Sequence, residues 1–145
     1  MKLSVVVCVK NEALRIKDCL DCILLNKPEE IIVVDGNSVD ETVEIAESFK
    51  NVTVIQSENS NLTKDRQIGI DRARNDLVAL IDADHRLKKD DLKNLFNDLL
   101  KYDFDIVQSG LISYKNHGFW DSAEEQSWAL VQNKPGRKQM IGTAP

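Results

Sequence analysis

The chain has 145 residues, of which 42% are hydrophobic and 30% are charged, and its formal net charge is −5. This length and composition predict one soluble globular domain with a buried core, and the acidic balance argues against general nucleic-acid binding, which requires a basic surface. No apolar run approaches the roughly 18 residues that span a bilayer, and the apolar start is too short for a signal peptide, so we expect a cytoplasmic protein and leave open a peripheral association with a membrane surface.

The first predicted strand is Leu3–Val9, an apolar run rich in β-branched residues. It ends at Lys10, and from Ala13 the apolar residues recur at helical spacing. We expect this helix to end before Pro28, because the residue that precedes a proline avoids helical backbone angles. Ile31–Val34 is the second predicted strand.

A polar turn follows the second strand, and its Gly36 and Asn37 tolerate a positive φ. Ser38 and Glu41 have the spacing of a capping box, which predicts that a helix begins here. The apolar positions of that helix are Val43, Ala46 and Phe49.

Val52–Ile55 is the third predicted strand, and Thr63 is the predicted cap of a helix that runs to about Arg74. Leu77–Ile81 is the fourth strand, and its consecutive apolar residues are typical of a strand buried on both faces. Strand and helix thus alternate three times before the fourth strand. This order predicts an α/β fold of three layers, with a mostly parallel central sheet and helices on both faces.

Further elements are predicted beyond the fourth strand. A helix begins at Asp90 or Asp91, with apolar positions at Leu92, Leu95, Phe96, Leu99 and Leu100. Asp105–Gln108 and Leu111–Tyr114 are predicted as a hairpin or a single bulged strand, and Trp120–Val131 as a helix. The polar residues 133–138 are expected to be mobile.

The cysteines are expected to be free thiols. Their number is odd, and Cys19 and Cys22 fall within a predicted helix, so with Cys8 they do not form a disulfide framework. Cys19 and Cys22 have redox-motif spacing, but Cys19 lies on the apolar face in mid-helix, which favours core packing. A zinc site is not predicted, because His85 and His117 are far apart in the sequence.

Two carboxylates, Asp82 and Asp84, follow the fourth strand. In an extended segment such residues point to the same side, so their charges repel unless something offsets the repulsion. A divalent cation such as Mg²⁺ or Mn²⁺ would do so, because hard cations bind carboxylate oxygens. The alternative interpretation is a solvated acidic turn.

Polar side chains follow three of the predicted strands. They are Asn11 and Glu12 after the first, Asp35 after the second, and Asp82 and Asp84 after the fourth. Ligands of open α/β sheets bind beyond the carboxyl ends of the strands, so these groups would face one crevice if the strands are neighbours. A metal in an acidic crevice suits a diphosphate, and Asp35 could accept hydrogen bonds from a nucleobase or a ribose. Alternatively, Asn11 only caps the next helix and Asp35 only bonds its own turn.

Four motifs occur in a characteristic order. They are Asn11-Glu12 after the first strand, Asp35-Gly-Asn-Ser38-Val-Asp40 after the second, Asp65-Arg66-Gln67-Ile-Gly69 in the third helix and Asp82-Ala-Asp84 after the fourth strand. In this order they resemble the donor-binding half of family 2 glycosyltransferases, which are inverting enzymes of the Rossmann-like GT-A fold. The resemblance extends from the first strand to the Asp-x-Asp motif.

The resemblance implies roles for individual residues at a donor site. Asn11 or Glu12, together with Asp35, would contact the nucleotide base and ribose, and Arg66 would lie near the donor. Departures from the commoner motif residues, such as Gln67, leave the identity of the donor open.

The Asp-x-Asp motif of the family implies a metal site. Asp82 would touch ribose or sugar hydroxyls, and Asp84, with Asp82, would ligate a Mn²⁺ or Mg²⁺ ion on the diphosphate. His85 either ligates this metal or only lines the crevice.

The family also implies an acceptor-binding half, which supplies the carboxylate that removes the acceptor's proton. Gly142-Thr-Ala-Pro145 resembles the start of that half. Asp121, Glu124 and Glu125 match no motif for the base, so the catalytic base is unknown. We therefore expect residues 1–145 to be a single nucleotide-sugar-binding domain, truncated at its C-terminus, that transfers sugar poorly or not at all.

The resemblance implies a glycosyltransferase that acts with inversion on a nucleotide-sugar donor and an acceptor hydroxyl. A UDP-sugar is favoured by its frequency in the family, and GDP-mannose is the next candidate. The acceptor would be a saccharide or a lipid-phosphate, and apolar surface left by an incomplete acceptor half could support a homodimer.

Two other classes of protein share features with this chain. A flavodoxin-like phosphoacceptor domain has a similar length but requires an acidic pair after the first strand, where this chain has Lys10-Asn11. A non-catalytic nucleotide-binding module would keep the fold without the chemistry. The chain has no P-loop and no Gly-x-Gly-x-x-Gly after its first strand, which disfavours P-loop NTPases and dinucleotide-binding enzymes.

Overall fold

The computed structural model describes residues 2–58, 61–102 and 106–107. In chain order the elements are β1 (Ser4–Val9), α1 (Ile16–Leu25), β2 (Glu30–Asp35), α2 (Thr42–Glu47), β3 (Val52–Gln56), α3 (Leu62–Arg72), β4 (Val78–Asp82) and α4 (Asp91–Lys101). The chain divides into two compact units, residues 1–93 and residues 94–145. The first unit contains all four of these strands and helices α1 to α3.

The four strands form a parallel sheet in the order β3-β2-β1-β4. Strand β1 is central, and its Val7 lies opposite Val33 of β2 and Ile81 of β4. The predicted parallel sheet is therefore confirmed. The prediction that the fourth strand is buried on both faces is wrong, because β4 pairs with β1 alone among the described strands and its Leu80 is 46% exposed. The chain reverses its direction across the sheet beside β1, and such a switch point is where ligands bind in open α/β sheets. In the flavodoxin-like order β1 lies between β2 and β3, so the phosphoacceptor alternative is wrong.

Apolar clusters cover both faces of the sheet. The cluster on the face toward α1 includes Val5, Val7, Ile16, Leu20 and Ile23. The cluster on the face toward α3 includes Val6, Ile32, Val34 and Ile68. Alternate residues of a strand point to opposite faces, so the continuous apolar run of β1 supplies both clusters. Each fully buried side chain of this kind contributes about 1.5–3 kcal/mol to the stability of the predicted three-layer arrangement.

Helix α3 approaches the sheet closely at Gly69. A Cβ atom added at this residue would lie 2.2 Å from Cγ1 of Val6 and 3.3 Å from Cγ2 of Val34. Only a residue without a side chain fits at this distance, so Gly69 has a packing role within the third motif.

Two predicted helix caps are wrong. Glu41 is the N-cap of α2 and makes no side-chain cap hydrogen bond, so the capping box of Ser38 and Glu41 does not form. The cap of α3 is Asn61 rather than Thr63, because the Asn61 side chain accepts a 2.9 Å hydrogen bond from the Lys64 N–H. In both places the residue that was expected to cap the helix does not occupy the N-cap position. Ser38 lies before the N-cap of α2, and Thr63 lies within the first turn of α3.

The three cysteines are free, as predicted. Cys19 is 1% exposed and belongs to the core on the α1 face, which confirms the packing role expected for it. Burial raises the pKa of its thiol to about 12, so the group is a neutral thiol at physiological pH. A redox-active cysteine requires the opposite shift.

Several predictions lie outside the described residues. They are the strand over 111–114, the helix over 120–131 with its acidic residues, the polar segment 133–138 and the motif over 142–145. Of the strand predicted over 105–108, only Ile106 and Val107 are described, and they belong to neither a helix nor a strand. Within the described ranges, no helix has the length and apolar content needed to cross a bilayer.

Candidate functional site

The carboxyl ends of β1, β2 and β4 lie at one edge of the sheet. Asp35 pairs in register with Val9, and Asp82 pairs with Cys8. Because β2 and β4 flank β1, Asp35 and Asp82 are separated by two strand spacings, or about 10 Å. The structure therefore brings the three strand ends to one edge, as the sequence predicted. Because Val9 and Cys8 are consecutive residues, however, the side chains of Asp35 and Asp82 leave opposite faces of the sheet.

Asp35 is buried beneath its own turn and is 1% exposed. Its carboxylate accepts a hydrogen bond of 3.0 Å from the Ser38 N–H and a second from the Ser38 hydroxyl. The interpretation of Asp35 as a residue that bonds its own turn is therefore correct. A carboxylate has about four acceptor sites, of which these bonds use two.

Asn11 links the loop after β1 to the turn after β2. Its φ is 56°, in the left-handed region that Asn tolerates better than most residues. Its backbone N–H donates to the Ser38 hydroxyl at 2.8 Å, and its side-chain oxygen accepts from the Val39 N–H at 2.9 Å. Asn11 therefore holds the two loops together and does not cap α1, which begins at Ile16.

Glu12 and Ala13 bond to a second part of the same turn. The Glu12 N–H donates to the Thr42 hydroxyl at 2.8 Å, and the Ala13 N–H donates to the Asp40 carboxylate at 3.2 Å. The Thr42 hydroxyl in turn donates to Asp40. This hydrogen bond is the main reason that the pKa of Asp40 lies below its usual value.

The roles of Asp40 and Thr42 were missed by sequence reasoning. Their local signal was the Asp-x-Thr spacing before α2, which is typical of side chains that bond nearby backbone groups. Their partners in the loop after β1 are distant in sequence. The side chain of Glu12 is paired with Arg15 at 2.9 Å.

Arg66 and Asp82 form an ion pair at this edge of the sheet. The Arg66 guanidinium lies 3.0 Å from Oδ1 of Asp82, and the two side chains are 26% and 39% exposed. Burial, and then the charge of the buried Asp65, raise the pKa of the neighbouring Cys8 to about 11. The ion pair of Arg66 and Asp82 is itself partly open to solvent.

Asp84 and His85 lie just beyond the end of β4. The side chain of Asp84 is 67% exposed, and Nε2 of His85 is 3.9 Å from its carboxylate. Nδ1 of His85 accepts a hydrogen bond of 3.3 Å from the Asp82 N–H. In a neutral ring that accepts at Nδ1, the proton is on Nε2, which then has no lone pair for a metal. This geometry favours the interpretation that His85 only lines the crevice.

Asp82 ends β4 and Asp84 lies in the turn that follows, so the pair does not have the extended spacing expected of it, and the two carboxylates would hold a cation together with further ligands such as a phosphate. Within the part of the chain that the structure describes, no group of three His, Cys, Asp or Glu side chains could hold a metal by itself. Mg²⁺ in proteins is commonly bound by one or two carboxylates together with substrate phosphates and water. The high exposure of Asp84 leaves it accessible for this kind of binding.

Two surface cavities of about 550 and 570 Å³ lie away from this edge. The first is lined by residues of α1 and α2, among them Lys17 and Glu44, and the second by residues at the start of β2 and β3, among them Glu30 and Val52. Neither contains Asp35, Asp82 or Asp84.

Comparison with known proteins identifies relatives of the chain. The model of the family "Glycosyl transferase family 2" matches residues 4–144. The chain is 29% identical over 119 residues to glycosyltransferase GlyA of Streptococcus pneumoniae, covering 78% of this chain and 17% of that protein. It is 31% identical over 121 residues to the cholesterol galactosyltransferase of Borreliella burgdorferi, covering 78% of this chain and 33% of that protein.

Solved structures share the fold. The crystal structure of residues 1–349 of S. aureus TarS in complex with UDP-GlcNAc has a TM-score of 0.64 and 24% identity, covering 78% of this chain and 38% of that one. Glucosyl-3-phosphoglycerate synthase of Mycobacterium tuberculosis, in complex with Mn²⁺, UDP and glucosyl-3-phosphoglycerate, has a TM-score of 0.58 and 21% identity, covering 68% of this chain and 39% of that one.

The chain spans 17% of the length of GlyA and 33% of the length of the cholesterol galactosyltransferase. The family model nevertheless matches almost the whole of this chain, and the sheet and the order of motifs agree with that match. The chain belongs to glycosyl transferase family 2 and has the α/β, Rossmann-like GT-A fold.

Proposed function

We propose that the protein is a glycosyltransferase that transfers a sugar from a nucleotide-diphosphate sugar to an acceptor hydroxyl with inversion. The observation that carries this proposal is that Asp35 and Asp82 lie at the carboxyl ends of the two strands that flank β1, at the switch point of the sheet. All the residues assigned to the donor lie within residues 1–93. Membership of the family supports the reaction type.

The donor in this proposal is a UDP-sugar. Asn11 or Glu12, together with Asp35, would contact the base and ribose, and Arg66 would lie near the donor. The support is that TarS and glucosyl-3-phosphoglycerate synthase, which share the fold, have been crystallised with UDP-GlcNAc and with UDP. GDP-mannose with a lipid-phosphate acceptor is the alternative donor and acceptor pair.

A divalent cation, Mn²⁺ or Mg²⁺, would be held by Asp84 and Asp82 together with the diphosphate. When bound, it would stabilise the negative charge that develops on the departing nucleotide. The exposed Asp84 carboxylate supports this role, as does the Mn²⁺ in the synthase structure. A base from elsewhere would remove the proton of the acceptor hydroxyl as it attacks the anomeric carbon from the face opposite the nucleotide.

The proposal is tested by calorimetric titration of the full chain with UDP and with GDP, each with and without Mn²⁺. We expect UDP to bind and Mn²⁺ to tighten the binding. In the Asp84→Asn variant, Mn²⁺ should no longer increase the affinity for UDP, because one ligand of the cation is neutralised. Asp76→Asn is the matched control, since this exposed aspartate precedes β4 at the opposite edge of the sheet.

The two parts of the proposal fail separately. If the wild-type chain binds neither UDP nor GDP, the donor-binding function is wrong. If Asp84→Asn binds UDP with the same dependence on Mn²⁺ as the wild type, the role of Asp84 at the metal is wrong while nucleotide binding stands.

A further inference from the structure

We infer that Ser38 and Thr42 are positioning residues that hold the loop after β1 in place for the donor, through two carboxylate–hydroxyl pairs. The first pair is Asp35 and Ser38, and its hydroxyl accepts the Asn11 N–H. The second pair is Asp40 and Thr42, and its hydroxyl accepts the Glu12 N–H. The effect on donor binding rests on the proposed function, whereas the effect on the loop does not.

The chemistry of each pair sets the direction of its hydrogen bonds. An ionised carboxylate can only accept, so the hydroxyl of Ser38 or Thr42 must donate its single proton to Asp35 or Asp40. The lone pairs of the hydroxyl then remain for a donor on the other side. That donor is a backbone N–H of the loop after β1. Each carboxylate thus orients a hydroxyl as an acceptor for the loop.

The loop depends on these side chains because they are the acceptors of its backbone N–H groups. Residues 11–13 precede α1, which begins at Ile16. Their three consecutive N–H groups donate to Ser38, Thr42 and Asp40, all in the segment after β2. The loop that carries Asn11 and Glu12 is therefore held by the turn that carries Asp35.

Burial makes the second pair difficult to replace. Thr42 is fully buried, so a water molecule could not readily take the place of its hydroxyl. A Glu12 N–H that lost this acceptor would be costly to leave unpaired, and the loop would shift to satisfy it. Such a shift would move the Asn11 and Glu12 side chains at the donor site.

The test compares two substitutions at one position. Thr42→Val keeps the shape but removes the hydroxyl, and Thr42→Ser keeps the hydroxyl but removes the methyl group. In calorimetric titration of the full chain, we expect Thr42→Val to weaken UDP binding about tenfold and Thr42→Ser to stay within about twofold of the wild type. Thr53→Val, at an exposed position of β3, is the matched control.

Amide hydrogen exchange of the ligand-free chain provides a readout that does not depend on the donor. The Glu12 N–H should be protected in the wild type and in Thr42→Ser, and should exchange at least tenfold faster in Thr42→Val. Ser38→Ala should likewise accelerate the exchange of the Asn11 N–H. If Thr42→Val does not fold, this second variant tests whether the hydroxyls hold the loop.

The outcomes separate this inference from the proposed function. Unchanged exchange of the Glu12 N–H in Thr42→Val would overturn the inference, as would faster exchange with wild-type affinity for UDP. A wild-type chain that binds no UDP or GDP would refute the proposed function, and with it the role in donor binding. The exchange measurements would then still decide whether the hydroxyls hold the loop.

Discussion

The guanidinium of Arg66 lies 3.0 Å from the carboxylate of Asp82 and so connects α3 to the end of β4. Both side chains are partly exposed, and an ion pair of this kind contributes about 0–1 kcal/mol to stability. The main effect of the pair is therefore on the charge around Asp82 and not on the stability of the fold. One of the two carboxylates proposed for the metal thus already has a cationic neighbour within the protein.

Arg66→Gln is expected to strengthen the binding of Mn²⁺ alone. With the guanidinium removed, Asp82 is free of a competing positive charge, and the affinity should rise about two- to fivefold, which corresponds to about 0.4–1 kcal/mol. The free Mn²⁺ concentration can be followed by electron paramagnetic resonance in the absence of nucleotide. Arg72→Gln, at an exposed position of the same helix, is the control. Equal affinities in wild type and Arg66→Gln would show that the pair does not restrict the metal.

His85→Ala is expected to leave the affinity for Mn²⁺ unchanged in the presence of UDP. Because Nδ1 accepts the Asp82 N–H, Nε2 of the neutral ring carries the proton and cannot ligate the metal. The same titration with Asp84→Ala should show a loss of at least tenfold. A comparable loss in His85→Ala would mean that the imidazole rotates to become a ligand.

Gly69→Ala is expected to destabilise the fold by about 1–3 kcal/mol, because the added methyl group would overlap Val6 on the sheet. The free energy of unfolding is measured by urea titration. Replacing Val6 by Ala in the same chain removes the atom that is overlapped, so the cost of Gly69→Ala should be smaller in that background. Equal costs in the two backgrounds would contradict the contact between α3 and β1.

The loop after β1 should loosen in acid. The pKa of Asp40 is lowered from 3.8, chiefly by the Thr42 hydroxyl and further by the Ala13 N–H. A carboxylate with a lowered pKa stabilises the folded state above its unfolded-state pKa, and this contribution is lost as the pH falls through its folded-state pKa. The difference in melting temperature between wild type and Asp40→Asn should therefore be constant from about pH 7 to pH 5 and shrink below about pH 3.8.

Circular dichroism at a series of pH values measures this difference. Ser48→Ala, which removes a hydroxyl that donates only to a carbonyl of α2, is a control whose effect should not change with pH in this range. A difference between wild type and Asp40→Asn that persists undiminished to pH 2.5 would contradict the role of the Asp40 carboxylate.

Much of the donor half could be predicted from the sequence, because the signals are local. The apolar run of Leu3–Val9 predicts a buried strand, the run of Leu77–Ile81 predicts a strand but not its partial exposure, and the helical spacing after Ala13 predicts α1. Alternation of these elements implies a parallel sheet, so the positions of Asp35 and Asp82 at strand ends place them at one edge. Hydrophobic periodicity and chain connectivity were sufficient to predict these elements and the edge of the sheet at which the aspartates lie.

Tertiary structure alone decided which side chains bond to one another across that edge. The Ser38 hydroxyl has the spacing of a helix cap, yet it bonds Asp35 and the Asn11 N–H. Gly69 resembles a motif residue of the donor site, yet its distance to Val6 makes it a packing residue. Hydrogen bonds and close contacts depend on positions to within tenths of an ångström between segments far apart in the chain. A pattern read along one segment carries no information of that kind, so these partners appear only once the strands are packed side by side.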